Sequence, residues 1–579
     1  RIESKIPFVG LHAHSGLSPF DGLGMPGEHM DFAYENGMNA HALTDHGHMN
    51  GLSFQVEHLK KMKEDGKDFR AIYGCESYFI KSHRKWRQMY EEHKANSKKQ
   101  KKEEYGMVIE DEDRQKKFNP LNRRSHLVMV AQNQTGLNNL FQLVSNSYQP
   151  ENFYRYPRID YALLKKYNEG VIASSACLGG VYAGNYWENC EAGDEAVLNA
   201  MRETTRQMVD IFGDRWYAEL QWNNVPEQHA LNQYIIQIAK EFGLKLITTA
   251  DSHYPSPEAW KDRELYMRLG WLGKGGLPPY MSSELPINVD EVGYELYPKN
   301  GDQMWESYKK YASEGGFEYD DDLVRESIEE SHRIAFDRIE KFFPDNTVRL
   351  PSFVVPAGFT ATQALVQYSL EGLKARGFQG NPEYIQRLKH ELDVIDDRGF
   401  SKYFLTMKSI ADVASTMMLT GPGRGSAAGS LVAYALGITQ VDPIKYGLLF
   451  SRFLRSDATD YPDIDYDVSD SMALKEKLVE MWGADCVAPI SNWNTLQLRS
   501  LIKDISKFYD VPFTEANTVT SVMIREATPE AKKKHGIKAG LYAPTSEETM
   551  EFSPSLRAYL NKYPAVRAHV EGLVGQVRS

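Results

Sequence analysis

Gly421-Pro422-Gly423-Arg424-Gly425-Ser426-Ala427-Ala428-Gly429-Ser430, followed downstream by Asp463-Ile464-Asp465-Tyr466-Asp467, decides the reading of this chain. The second stretch is a carboxylate row. Successive side chains on a strand point to opposite faces, so Asp463, Asp465 and Asp467 share one side, with Ile464 and Tyr466 on the other. Like charges that close are costly unless a cation neutralises them. Hard oxygen ligands suit Mg²⁺ or Mn²⁺, which take one or two carboxylates together with substrate phosphates. A solvated acidic edge would carry the same letters. Pro462 and the apolar runs Leu448-Leu449-Phe450 and Phe453-Leu454 predict instead a strand anchored in a core.

The glycine-rich stretch complements the row. Glycines let the backbone approach an anion and aim N–H groups at it. Arg424 adds a planar fork for phosphate, and Ser426 and Ser430 add hydroxyl donors. The apolar run Leu431 to Leu436 predicts a helix opening from the loop, with an N-terminus that favours an anion. The stretch fits neither the P-loop nor the dinucleotide fingerprint. Loop and row together predict a nucleotidyl-transfer site.

From Gly421 to Asp467, with Asp442-Pro443 and Arg452-Phe453-Leu454 between, the chain resembles the palm of the C-family replicative DNA polymerases, the alpha subunits of DNA polymerase III. The resemblance implies a nucleotidyltransferase palm of the polymerase beta type and two-metal Mg²⁺ chemistry on primer–template DNA and dNTPs. It makes Asp463 and Asp465 the catalytic metal ligands, and Asp467 matches the motif with no catalytic role carried over to it. It places Gly423, Arg424, Gly425, Ser426, Gly429 and Ser430 at the nucleotide.

The N-terminal region carries an independent signal. His12-Ala13-His14, Asp21, Thr44-Asp45-His46, Gly74-Cys75-Glu76, Ser125-His126, Ala176-Cys177 and Asp251-Ser252-His253 offer imidazole, carboxylate and thiolate, the ligands of Zn²⁺, Mn²⁺ and Fe sites. His12 and His14 share a strand face, as do Asp251 and His253 after the apolar stretch Leu244 to Thr249. Many of these residues follow short apolar runs, where an α/β barrel presents ligands. A single such histidine or cysteine is more often a packed residue than a ligand. The ordered set resembles the polymerase and histidinol phosphatase (PHP) domain that opens C-family polymerases. That resemblance makes His12, His14, Asp21, His46, Glu76, His126, Cys177, Asp251 and His253 ligands of a multinuclear cluster with 3′→5′ exonuclease activity.

The fold class expected is α/β multidomain: a distorted (β/α) PHP barrel over residues 1–270, a palm over 271–490 and a mainly helical thumb over 491–579. Helices are predicted at Met201 to Phe212, Gln228 to Phe242, Ala361 to Arg376, Pro382 to Ile395 and Leu496 to Phe508. A basic insertion spans residues 81–124, with Lys98-Lys99-Gln100-Lys101-Lys102, Lys116-Lys117 and Arg123-Arg124; it reads as a flap for single-stranded DNA or as a solvated loop. A second basic run is Lys532-Lys533-Lys534-His535.

The chain has 579 residues, 42% of them hydrophobic, and a net charge of −12. Nucleic-acid binding follows local patches, so this total does not exclude it. Four cysteines without framework spacing and no apolar run of membrane length point to a reducing, cytoplasmic setting. Arg1 in place of Met implies a processed or trimmed start. The family palm uses a third carboxylate after the thumb, and Asp485, Asp504 and Asp510 come too early for it. The expectation is an N-terminal part of a split or truncated bacterial or phage enzyme. A C-terminal polymerase chain would supply the third Asp, the fingers and contact with a sliding clamp. The alternative is a stand-alone PHP phosphoesterase whose palm only binds DNA.

Overall fold

The computed structural model describes residues 1–103, 119–279, 281, 295–351 and 355–579. They form two units: residues 1–345 with 493–579, and residues 346–492.

The first unit is built on an eight-stranded sheet. Its strands are Ala40–Leu43 (β1), Arg70–Phe79 (β2), Ser125–Ala131 (β3), Phe153–Tyr154 (β4), Tyr156–Ile159 (β5), Val171–Ser174 (β6), Trp216–Leu220 (β7) and Leu246–Thr248 (β8). Every residue of β1, β6 and β7 is buried. Strands of that kind belong to a sheet covered on both faces. The order is β4-β5-β2-β3-β6-β7-β8, with β1 parallel to β2. β3 runs antiparallel to β2 and β6, whereas β6, β7 and β8 are parallel. Beyond β8, Ser252 bridges Ala13, and Gly10 bridges His41 of β1. Residues 10–14 therefore lie between β1 and the segment after β8, and the sheet curls into a distorted barrel.

Helices Asp194–Phe212 and Pro226–Phe242 cover this sheet, the second opening on Pro226 and closing on left-handed Gly243. Leu127, Met129, Trp216 and Leu220 form a core with Leu140, Met201 and Ile235 from the helices. The barrel unit extends past the expected boundary at residue 270. Tyr308 and Tyr311 of Gly301–Gly315, and Val324 and Ile328 of Asp321–Arg333, join the same core. Ser327 and Ser331 also hydrogen-bond Thr248 at the end of β8. Residues 493–579 pack there too: Leu501, Ile505, Leu556 and Val570 share a cluster with Trp260, Leu265 and Tyr266. An amphipathic helix shows that it has an apolar face, not which surface it will cover.

In the second unit, Ala361–Ala375, Pro382–Arg398 and Ser401–Met417 surround the short helix Leu431–Ala435. The carboxylate row is extended, but it pairs with the glycine loop only through single antiparallel bridges, Thr420↔Val468 and Arg424↔Asp465. The alternation holds: Asp463, Asp465 and Asp467 are exposed, while Ile464 and Tyr466 pack on the core. In the basic insertion, residues 83–103 are helical, and Lys116-Lys117 lie outside the described residues.

Gly136 tests the packing of helix Gln134–Ser147 on the loop before β6. A Cβ there would sit 1.9 Å from the Gly170 carbonyl oxygen. Gly136→Ala should lower stability by about 1–3 kcal/mol, the usual cost of overpacking, read as an earlier urea midpoint for this unit.

Candidate metal centre

The ligand candidates gather because the strands end together. His12 and His14 leave the 10–14 segment, His46 follows β1, Cys177 follows β6, and Asp251 and His253 follow β8. In the β2–β3 register Tyr78 faces His126, and Glu76 lies two residues away on the same face. Backbone strain marks three of these places. Phe20 before Asp21, Ala176 before Cys177, and Asp251 itself have φ of 60°, 62° and 49°. Non-glycine residues hold such values only where the surroundings enforce them.

His12 Nε2 lies 2.8 Å from Glu76 Oε1 and 3.0 Å from Asp251 Oδ1, and His14 Nε2 lies 3.1 Å from the same Asp251 oxygen. His46 Nε2 is 2.6 Å from Asp21 Oδ2, and its Nδ1 faces Glu76 Oε2. His253 Nε2 is 3.4 Å from Asp21, and Cys177 Sγ is 3.6 Å from His126 Nδ1. Three overlapping sets could each hold an ion: His12, His14, Glu76 and Asp251; His14, His46 and His253; His46, Glu76 and His126. Sharing of His14, His46 and Glu76 gives a multinuclear arrangement.

The donors also fit a metal by their hydrogen bonding. His14 Nδ1 is buried without a hydrogen-bond partner, and Glu76 Oε2, Asp251 Oδ1 and His46 Nδ1 are buried against polar neighbours without a well-directed hydrogen bond. Buried polar atoms are rarely left so, and an ion would satisfy them. Burial works against ionising Asp21, Glu76 and Asp251, yet the imidazoles around them hold all three carboxyls well below the usual range. Burial would lower His12, but Asp251 and Glu219 raise it well above an ordinary histidine. Burial, with Asp251 and Glu76 nearby, pushes the Cys177 thiol up. Without a cation, the carboxylates favour the charged forms of His12, His14 and His46, whereas burial lowers His126 and His253.

Two supporting residues, Glu219 and Arg263, escape sequence inspection, and a third, Asp45, stands in the Thr44-Asp45-His46 motif. Glu219 receives His12 Nδ1 at 2.8 Å, Gln221 Nε2 at 2.7 Å and Thr249 Oγ1 at 2.7 Å. It fixes the His12 ring so that Nε2 points into the site. Arg263 donates to the Asp21 carboxylate at 3.0 Å and to its carbonyl at 2.8 Å. Asp45 accepts from Ser15 N–H and from the Ser15 and Ser18 hydroxyls, bracing the loop before Asp21. The available signal for Glu219 is a lone carboxylate inside the apolar strand Trp-Tyr-Ala-Glu-Leu.

The donors open on a cleft of about 680 Å³ that Tyr78, Arg124 and Tyr156 also line. The Arg124 guanidinium stacks 3.5 Å above the Tyr156 ring.

In the second unit, the glycine loop and the carboxylate row do meet. A Cβ on Gly425, whose φ is +69°, would fall 2.4 Å from Asp465 Oδ2. Arg424 Nε lies 3.6 Å from Asp467 Oδ1, both side chains being exposed. Gly423, Arg424, Gly425 and Ser426 are open or half-open to solvent. Gly429 and Ser430 correct the sequence expectation, for both are buried. The Ser430 hydroxyl donates to Glu391 at 2.9 Å, and the Leu431 and Val432 N–H groups donate to the same carboxylate at 2.8 and 3.1 Å. The anion at this helix start is the protein's own Glu391, which Arg387 also contacts at 2.6 Å. Asp442 is likewise internal, accepting from the Tyr384 hydroxyl and from the Ile444 and Lys445 N–H groups.

Residues 10–223 match the PHP domain family, and residues 363–570 match the bacterial DNA polymerase III alpha NTPase domain. The chain is 34% identical to a DNA polymerase III subunit alpha of Aquifex aeolicus, over 89% of this chain and 41% of that protein. It is 29% identical to one of Thermus aquaticus, over 98% of this chain and 46% of that protein. Fold and site thus define a PHP domain joined to a polymerase NTPase domain. The chain carries both of these domains, is similar over most of its length to bacterial DNA polymerase III alpha subunits, and spans less than half the length of these relatives.

Removing the brace behind His12 should show in metal binding. Glu219→Ala should weaken divalent-metal affinity about 10–100-fold, as loss of a ligand's hydrogen-bond partner does elsewhere, with Glu219→Gln retaining more. Competition against a chromogenic chelator measures it.

Proposed function

We propose that the cleft of the first unit is a divalent-metal phosphodiesterase site that removes the 3′-terminal nucleotide of a DNA strand. We propose equally that the exposed Gly423–Ser426 loop with Asp463 and Asp465 forms the nucleotide-binding and Mg²⁺-binding part of a replicative polymerase palm. The observation that carries the first assignment is the convergence of His12, His14, Asp21, His46, Glu76, His126, Cys177, Asp251 and His253 at and behind one cleft, with buried polar atoms left without well-directed hydrogen bonds. Imidazoles and a thiol favour Zn²⁺ or Mn²⁺, or Fe, over Mg²⁺ in this cluster. Bound ions there would polarise a phosphoryl oxygen and supply a nucleophile at neutral pH.

The chain's own residues do the rest. Glu219 orients His12, and Arg263 holds Asp21 against His46 and His253. Arg124 is placed for a phosphate and Tyr156 for a base. In the palm, Asp463 and Asp465 project from a packed backbone toward solvent, open to metal and triphosphate. The relatives extend well beyond the matched region. We assign to such a further segment, on this or a second chain, the third carboxylate, the fingers and contact with a sliding clamp. Primer–template DNA and dNTPs are the substrates, and the cytoplasm the setting.

A 5′-labelled primer–template incubated with Mn²⁺ or Mg²⁺, with and without dNTPs, tests both sites. Shortening from the 3′ end is expected, abolished in His12→Ala and kept in Asp463→Asn with Asp465→Asn. Shortening that survives His12→Ala would overturn the assignment. Metal alone should also stabilise the first unit, by about 2.7 kcal/mol at a hundredfold excess over Kd. A chelator should reverse that shift in thermal unfolding of the wild-type chain and have little effect on His14→Ala.

A further inference from the structure

A second groove of about 630 Å³ lies beside the metal cleft, and Arg124 lines both. Its walls come from the end of β2, the helix His83–Glu103, the turn before β3 and the helix Val181–Asn189. Lys81, Lys85, Arg123 and Arg124 face Glu188, the single carboxylate among the described residues of the lining. None of those four cations forms an ion pair among the described residues. Unpaired cations concentrated on one groove of an otherwise acidic chain mark a binding surface for a polyanion.

The groove also offers an aromatic face. Trp187 is 50% exposed although its Nε1–H donates to Leu178 O at 3.2 Å, so the indole is held in place with a face toward solvent. Trp86 serves the framework instead. Its indole N–H bonds Leu121 O at 2.9 Å, and buried Arg158 stacks 3.9 Å from its ring. Asn185 lines the groove, is only 6% exposed, and leaves its side-chain oxygen without a hydrogen-bond partner. Gly184 keeps the lining close-packed, for a Cβ there would approach Ser125 Oγ to 2.9 Å.

We infer that this groove holds single-stranded DNA, receiving the nucleotides that precede the 3′ terminus while that terminus occupies the metal cleft. Cations spaced along a channel with a stacking face form the usual platform for a single strand. Arg124, at the junction, would contact the phosphate between the terminal nucleotide and its neighbour. The Asn185 oxygen would accept from the N–H of a base. The substrate is then an unpaired end several nucleotides long. The inference rests on the nuclease reading for the terminal nucleotide, and on charge and shape for the groove.

The test is fluorescence anisotropy of the whole chain with fluorescein-labelled oligothymidylates carrying a 3′ phosphorothioate, one of two and one of eight nucleotides. The longer strand should bind more tightly. Trp187→Ala should weaken it roughly 10-fold, the loss of one stacked base, while Trp187→Phe restores most of it. Lys85→Ala with Arg123→Ala should reduce the salt dependence of binding by about 1.4 in log–log slope, about 0.7 for each lost phosphate contact. Metal content and dinucleotide binding should stay unchanged in all three variants. Equal affinity for the two lengths, or undisturbed octanucleotide binding in both alanine variants, overturns the groove. Nuclease activity with no groove effect would leave the cleft assignment intact. Groove effects without nuclease activity would leave the groove standing and remove the cleft assignment.

Discussion

The carboxylates buried at one end of the barrel are the constraint on which the first unit depends. Glu76, Glu219 and Asp251 lie among imidazoles with almost no solvent. Charges in such a place must be paired or bound to metal, since burying them alone is prohibitive. The fold meets this by bringing His12, His14, His46, His126 and His253 from distant segments onto the same few atoms. The curl of the sheet, the strained backbone at Phe20, Ala176 and Asp251, and the bracing by Arg263 all serve that convergence. A cation at the centre would relieve this crowding of charge, and would make metal binding and folding one linked equilibrium.

The second unit solves the opposite problem. Its helix Leu431–Ala435 opens directly after a glycine loop, the arrangement that suits an external phosphate. Glu391 already occupies that position from inside. Burial raises the Glu391 carboxyl, while the Leu431 and Val432 N–H groups and Arg387 favour its charge. The loop is thereby anchored at Gly429 and Ser430 and free at Gly423 to Ser426. The exposed half lies directly over Asp465. Rigid attachment behind a mobile-looking glycine sequence is what a site of that kind needs for positioning.

Much of this was legible in the letters. The candidate donors could be picked out because histidines, acids and a cysteine recur after short apolar runs in a specific order. The long helices were readable from their periodicity: Ala361–Ala375 and Pro382–Arg398 fall within a few residues of the expected spans. Glu219, Arg263 and Glu391 were not readable. Each looks like an ordinary charged residue in a strand or helix, and its meaning comes from a partner far away in the chain.

The sequence by itself determined the chemistry: which donors exist, their order, the alternation that turns Asp463, Asp465 and Asp467 outward, and the family to which these motifs belong. Tertiary structure alone decided the partnerships. It assigned residues 301–339 and 493–579 to the barrel unit, engaged Ser430 with Glu391, and set lysines and arginines of the insertion beside Trp187. The reason is physical. Local pattern specifies which face is apolar and which atoms can bind, whereas burial and hydrogen-bond satisfaction are settled only when segments distant in sequence compete for the same surface and the same polar groups.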